Sequence, residues 1–226
     1  KRKVTLVQAR ADGAARRDPK EAPGERIVQA CWSCQGPVAV GEPFCPSCKA
    51  VQPPGQADHF QRLGLPRGFE IDTAALEKSY FQMQRLLHPD RFATRTPKEK
   101  TLSQQQATSL NDAYETLKDP LARAAYLANL MGRDVLKEDG NALVDPMILM
   151  EAMEMREALA EAETAEDVAT VTKRAQGEIA DCESELSDAF AADDLDQAAS
   201  LITRLKYLRK LADDTRARRA ELRGRG

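Results

Sequence analysis

The sequence predicts an all-α protein preceded by a small metal-binding module. Three observations carry that expectation. Apolar residues recur at helical spacing along most of the chain, Asp-Pro and Thr-Pro pairs open the periodic stretches, and four of the five cysteines fall within residues 31–48. The composition agrees: of 226 residues 42% are hydrophobic, 31% charged and only 5% aromatic. With 33 Lys+Arg against 36 Asp+Glu the net charge is −3, which argues against the globally basic field of a nucleic-acid-binding protein. No apolar run approaches the roughly 18 residues that a membrane span needs. Neither a nucleic-acid nor a membrane partner is expected.

Residues 1–26 carry Arg, Lys, Ala and Asp without an apolar period and read as a flexible tail. Residues 27–52 follow as a tetracysteine module, Cys31-x2-Cys34 and Cys45-x2-Cys48, with Gln52-Pro-Pro-Gly55 as a linker. Four thiolates in two CxxC pairs can converge on one tetrahedral cation, the way structural Zn²⁺ is held, and Gly36, Gly41, Pro43 and Pro46 suit the turns that aim them. Iron in the same sulfur set is the chemical competitor, and two disulfides are the alternative. Four cysteines leave no open coordination position, so a metal here is structural and not catalytic. A zinc ribbon that reads nucleic acid is the competing function. Against it, the module has only Lys49 and the adjacent Arg26 to meet phosphates.

Residues 57–132 read as a helical domain. Phe60, Leu63 and Leu65 form a short apolar stretch that ends at Pro66. Asp72 caps a helix with Leu76, Tyr80, Met83 and Leu87 on one face, and the helix stops at His88-Pro89-Asp90 because proline disfavours helix for the residue before it. Thr96-Pro97-Lys98-Glu99 is a capping box whose helix carries Leu110, Tyr114 and Leu117; Asp119-Pro120 opens the next helix and Gly132 ends it. Residues 145–226 read as a three-helix bundle, opened by Asp145-Pro146 and continued by periodic stretches over about 165–192 and 195–222 on either side of Asp193-Asp194. The apolar stripes of the last two are Val168, Val171, Ala175, Ile179, Cys182, Leu186, Phe190 and Ala198, Ile202, Leu205, Leu208, Ala212.

The helix from Pro146 is apolar on two sides. Ile148, Ala152, Met155, Leu159 and Ala162 share one direction, a core stripe. Leu149, Met150 and Met153 lie at about 100°, 200° and 140° from Ile148, among Glu154, Glu157 and Glu161 at about 180–240°. Such a face is either buried twice over or presented to a partner, and interleaved carboxylates disfavour full burial. Tyr207 also sits off the stripe of its own helix, at about 200° from Leu205. The His88-Pro89-Asp90 loop is either a plain helix stop or a site. Lys78 and Arg85 before it and Arg91, Arg95, Lys98 and Lys100 after it make the surround locally positive, which favours an acidic partner face.

Taken in order, Phe60-Gln-Arg-Leu-Gly-Leu65, Leu87-His-Pro-Asp-Arg91, Leu110-Asn-Asp-Ala-Tyr114 and Asp119-Pro120 resemble a J-domain. The run Ala113–Leu127 and the segment Leu149-Met-Glu-Ala-Met-Glu-Met-Arg-Glu157 resemble, more closely, the HscB-type J-proteins of iron–sulfur cluster biogenesis, and the N-terminal cysteines are similar to that family's tetracysteine branch. Ile148 stands where the family often has an aromatic residue. The resemblance implies a co-chaperone and not an enzyme. His88, Pro89 and Asp90 would trigger the ATPase of a DnaK-type (HscA-like) chaperone, and Lys78, Arg85 and Arg91 would assist docking. Leu149, Met150, Met153, Glu154, Glu157, Glu161 and Tyr207 would bind an IscU-like cluster scaffold. Cys31, Cys34, Cys45 and Cys48 would hold Zn²⁺, with iron possible. A general J-protein for unfolded clients is the alternative, disfavoured because neither a Gly/Phe-rich linker nor substrate-binding β-domains can be traced. Self-association is possible on this reading, and high Ala and Arg content points to a bacterial cytoplasm, with a mitochondrial matrix as the alternative.

Overall fold

The computed structural model describes residues 28–135 and 145–223. The tail expected over residues 1–26 lies outside the described residues. Two strands, β1 (Val28–Ala30) and β2 (Pro37–Ala39), pair antiparallel in the register Val28↔Ala39, Gln29↔Val38 and Ala30↔Pro37, and a bridge joins Phe44 to Val51. The remaining regular structure is helical: α1 (His59–Leu63), α2 (Thr73–Leu87), a 3-10 turn (Pro89–Phe92), α3 (Pro97–Lys118), α4 (Pro120–Leu130), α5 (Pro146–Glu161), α6 (Ala165–Ala191) and α7 (Leu195–Arg223). The expected fold class therefore holds, with the small sheet confined to the cysteine module.

Each helix begins where a side chain can accept the first orphan N–H groups. Asp72 accepts from Ala74 and Ala75, Asp119 from Ala122 and Asp145 from Met147. Thr96–Glu99 and Thr164–Asp167 form reciprocal capping boxes. Gly132 at φ +96° closes the C-terminal end of α4, and Asp193 at φ +59° makes the turn between α6 and α7.

Phe60 and Leu63 of α1 and Leu76 and Leu87 of α2 bury against Leu102, Leu110 and Leu117 of α3. In the bundle, Val168, Ala175, Cys182 and Leu186 of α6 meet Leu201, Leu205 and Leu208 of α7. The buried Cys182 thiol donates to the Leu201 carbonyl, and burial pushes it up to about 11, the behaviour of a core residue. On α7 the buried set is wider than the expected stripe: Leu201, Leu211 and Thr215 are buried and Ala212 only half-buried, because α4, α5 and α6 all pack on this one helix.

The J-like half and the bundle share one apolar cluster. Phe69 stacks on Phe190 with ring centroids 5.7 Å apart. The Arg123 guanidinium sits over the Phe69 ring and donates to the Phe69 and Leu117 carbonyls, and the carboxylate of Asp119, while capping α4, also pairs with Arg209 of α7. The two candidate surfaces are therefore held in one relative orientation.

Candidate functional sites

Two turns of the same construction position the cysteines. In the first, Cys31 N–H donates to Gly36 O (2.8 Å) and Gln35 N–H to Cys31 O (3.0 Å); in the second, Cys45 N–H donates to Ala50 O (3.0 Å) and Lys49 N–H to Cys45 O (3.0 Å). Gln35 and Lys49 take φ +61° and +62°, a left-handed conformation that costs a non-glycine residue about 1–2 kcal/mol. The glycine nearby serves another purpose: a Cβ on Gly36 would come within 3.3 Å of Cys34 Sγ.

The four sulfurs lie within 4.8 Å of one another, with Cys31–Cys48 and Cys34–Cys45 each 3.7 Å apart. Sulfurs bonded at about 2.3 Å to one tetrahedral ion stand about 3.8 Å apart, so the set fits a metal ion. All five cysteines are free thiols in this structure, and the four of the module converge on one point, the arrangement a shared cation needs. Burial opposes ionisation of Cys31, but N–H groups of Cys34 and Ser33 and the neighbouring thiols outweigh it and bring the thiol down to about 6. Gln52 adds a further donor, its amide lying 3.4 Å from Cys31 Sγ. The Cys34 thiol moves the opposite way: a backbone N–H from Gly36 lowers it, but the neighbouring thiols outweigh that and push it up to about 11, so a cation still displaces protons on binding.

His88, Pro89 and Asp90 are all exposed, and Asp90 is 90% so at its side chain. The loop is nevertheless held. Asp90 N–H donates to His88 Nδ1 (3.3 Å), Arg91 donates to the Arg85 carbonyl (3.3 Å), and buried Ser103 of α3 donates to the Leu87 carbonyl (2.8 Å). Leu87 and Phe92 plug the core on either side, so the tripeptide is presented on two apolar anchors. Arg85 and Arg91 are exposed next to it, and Lys78 is exposed further up α2. Sequence reasoning missed two apolar members of this face: Phe81 is 50% and Leu86 46% exposed, one on each flank of the basic stripe. Their signal was present, since neither belongs to the Leu76–Leu87 stripe of α2.

On α5, Ile148, Met155 and Leu159 are buried while Leu149, Met150 and Met153 are 40%, 55% and 69% exposed. Glu154, Glu157 and Glu161 are exposed among them. Met147, exposed too, extends the face and was not singled out from the sequence. Tyr207 is half-buried in a crevice it lines with Ala152, Met155 and Arg156, so it flanks the α5 face from the neighbouring helix. Arg204 holds α5 in place, with a two-pronged contact to Glu151 (2.9 and 2.8 Å) and a third bond to Glu178 of α6 (2.6 Å). The Arg204 hydrogen bond keeps the Glu151 carboxyl below its ordinary range.

Residues 58–126 match the DnaJ domain family and residues 144–216 the HSCB C-terminal oligomerisation domain. The human protein named iron–sulfur cluster co-chaperone protein HscB is 37% identical over 85% of this chain and 83% of its own length. The chain belongs to the HscB co-chaperone family. A Vibrio vulnificus HscB homolog is 36% identical over 70% of this chain and 94% of its own. The crystal structure of human HscB superposes with a TM-score of 0.78 at 35% identity, covering 83% of this chain and 96% of that one. Among the described residues no helix is long and apolar enough to cross a membrane.

Proposed function

We propose that this HscB-family protein binds an iron–sulfur cluster scaffold on α5, delivers it to a DnaK-type chaperone and stimulates that chaperone's ATPase through His88, Pro89 and Asp90. One observation supports the reading above the others: a single chain presents two separate exposed surfaces, a pinned His-Pro-Asp loop in a basic surround and a Leu/Met/Glu helix face. Lys78, Arg85 and Arg91 steer an acidic chaperone surface, a contact that weakens with salt. Phe81 and Leu86 give that contact an apolar component. Leu149, Met150 and Met153 supply adaptable apolar area to the scaffold, Glu154, Glu157 and Glu161 set its charge preference, and Tyr207 anchors the edge.

The activity needs no bond chemistry from this chain. A client and a stimulating loop delivered together act at high effective concentration on the chaperone. The cysteine module, taken as residues 27–52, holds Zn²⁺ as a closed structural site; the J-domain spans 57–132 and the scaffold-binding bundle 145–226. The test is a reconstituted ATPase assay with the chaperone, the scaffold and this protein. Stimulation that rises further when the scaffold is present supports the reading. Stimulation equal with any unfolded peptide in the scaffold's place assigns the chain to general clients instead.

A further inference from the structure

The cysteine module does not sit apart from the helices. Val51 is fully buried in the helical core, and Trp32 packs against both the module's small cluster and that core, donating its indole N–H to the Val51 carbonyl at 2.7 Å while Lys98 of α3 lies over its ring at 4.3 Å. Beneath these contacts runs a line of polar groups. Gln52, 1% exposed, donates from its side-chain amide to Cys31 Sγ (3.4 Å) and to the Ala50 carbonyl (2.8 Å). Its backbone carbonyl accepts from the amide of Gln106 on α3 (2.9 Å), and Gln106 is 2% exposed. Gln106 in turn accepts from Arg62 of α1 (3.4 Å), whose guanidinium also reaches the Pro54 carbonyl (3.0 Å). A metal-ligand sulfur is thus joined to α1 and α3 by hydrogen bonds through two buried glutamines.

Buried polar groups of this kind are costly to leave unpaired, so the line holds only while its ends stay in place. A cation bonded to the four sulfurs keeps both turns closed and so keeps Cys31 Sγ within reach of the Gln52 amide. When the cation leaves, nothing covalent closes the two CxxC turns, and their left-handed Gln35 and Lys49 work against the closed form. Opening there withdraws the Gln52 backbone carbonyl from Gln106 and the Pro54 carbonyl from Arg62. Both of those partners lie inside the J-like half.

We infer that metal occupancy of the four cysteines is linked through Gln52 and Gln106 to the packing of α1 against α3, so that Gln52 and Gln106 act as positioning residues and the module serves as a metal-dependent clamp on the J-domain. By linkage, whatever stabilises that packing tightens the metal in return. The inference rests on the metal reading of the cysteines but not on the chaperone reading.

The experiment is hydrogen exchange on the full chain, loaded with Zn²⁺ and then stripped by a chelator, with bound metal counted in parallel. In the parent protein, stripping raises exchange in residues 31–51 and also, by about tenfold or more, in α1 and in the turn of α3 around Gln106, the size one orphaned buried amide produces. In Gln106→Leu the metal count is unchanged and the chelator-induced rise in α1 shrinks to a fraction of that in the parent. Should Gln106→Leu fail to fold, Cys34→Ser provides the second arm. It removes an exposed ligand without touching the line and reproduces the α1 and α3 rise with no chelator present. A metal-loaded parent whose α1 and α3 are indifferent to stripping overturns the linkage and leaves the metal site standing. So does a Gln106→Leu variant that keeps the full rise. A protein that takes up no metal overturns both.

Discussion

The His-Pro-Asp loop and the outer face of α5 are both exposed, but they are held in different ways. The loop is fixed chiefly by devices close in sequence, a proline, a side-chain cap from His88 and the apolar plugs Leu87 and Phe92 on either side, with one longer tie from Ser103 to the Leu87 carbonyl. The α5 face depends on tertiary contacts. Its helix buries only Ile148, Met155 and Leu159, and the Arg204 fork to Glu151 and Glu178 completes the attachment. Under the proposed function, the loop that signals to the chaperone is pinned by core residues close to it, and the face that takes the scaffold sits on a helix clipped by charge.

The sharpest way to break this comparison is His88→Gln. It is expected to abolish chaperone ATPase stimulation while scaffold affinity and urea stability stay at parent values, because the side chain is half exposed and makes only a local contact. Stimulation at the parent rate in a single-turnover assay would remove the loop from the mechanism. The adjacent pair Leu86 and Leu87 separates surface from plug. Leu87→Ala, at 1% exposure, is expected to cost about 2–5 kcal/mol in urea unfolding, whereas Leu86→Ala, at 46%, changes stability by no more than about 0.5 kcal/mol and shows up only in chaperone affinity.

Met153→Asp tests the other surface. Scaffold affinity is expected to fall about tenfold or more by calorimetry, with basal ATPase stimulation intact and stability within about 0.5 kcal/mol. Equal affinity would mean that the face binds nothing of this kind. The smallest effect distinguishes the two attachments by pH. Arg204 lowers the Glu151 pKa in the folded state, so the pair contributes stability that is fully present above the ordinary value of 4.5 and is lost as pH falls through the lowered folded value. Amide protection of α5 is therefore expected to decline on acidification below 4.5, and Arg204→Met to abolish that dependence. Protection falling equally in the variant would show that other groups hold the helix.

Much of this organisation is legible in the sequence because its determinants are local. Asp72, Thr96, Asp119 and Asp145 mark helix starts, since a cap acts within one turn of its own residue. The outward set of α5 follows from a period of about 3.6 residues, and the two CxxC pairs from their spacing alone. The left-handed residues of the cysteine turns were harder to find. They are Gln35 and Lys49 and not Gly36, whose added Cβ would crowd Cys34 Sγ, while Gly41 at φ +93° does take the positive φ that a glycine allows. Phe81, Leu86 and Met147 lie off the main stripes, which is common for an apolar residue, and it takes the packed helices to show that they stay exposed among the described residues.

What the sequence alone determined is the inventory: the helices and where they begin, the four clustered cysteines, the His-Pro-Asp tripeptide, and a bundle helix apolar on both sides. The tertiary structure decided how these parts are joined. Arg209 meets Asp119 across 90 positions, Gln106 meets Gln52 across 54, and Arg204 meets Glu151 across 53. No periodicity or motif encodes such pairings. Propensity, capping and hydrophobic period act over a few residues, whereas a buried amide or guanidinium finds its partner only after the helices have packed and excluded water.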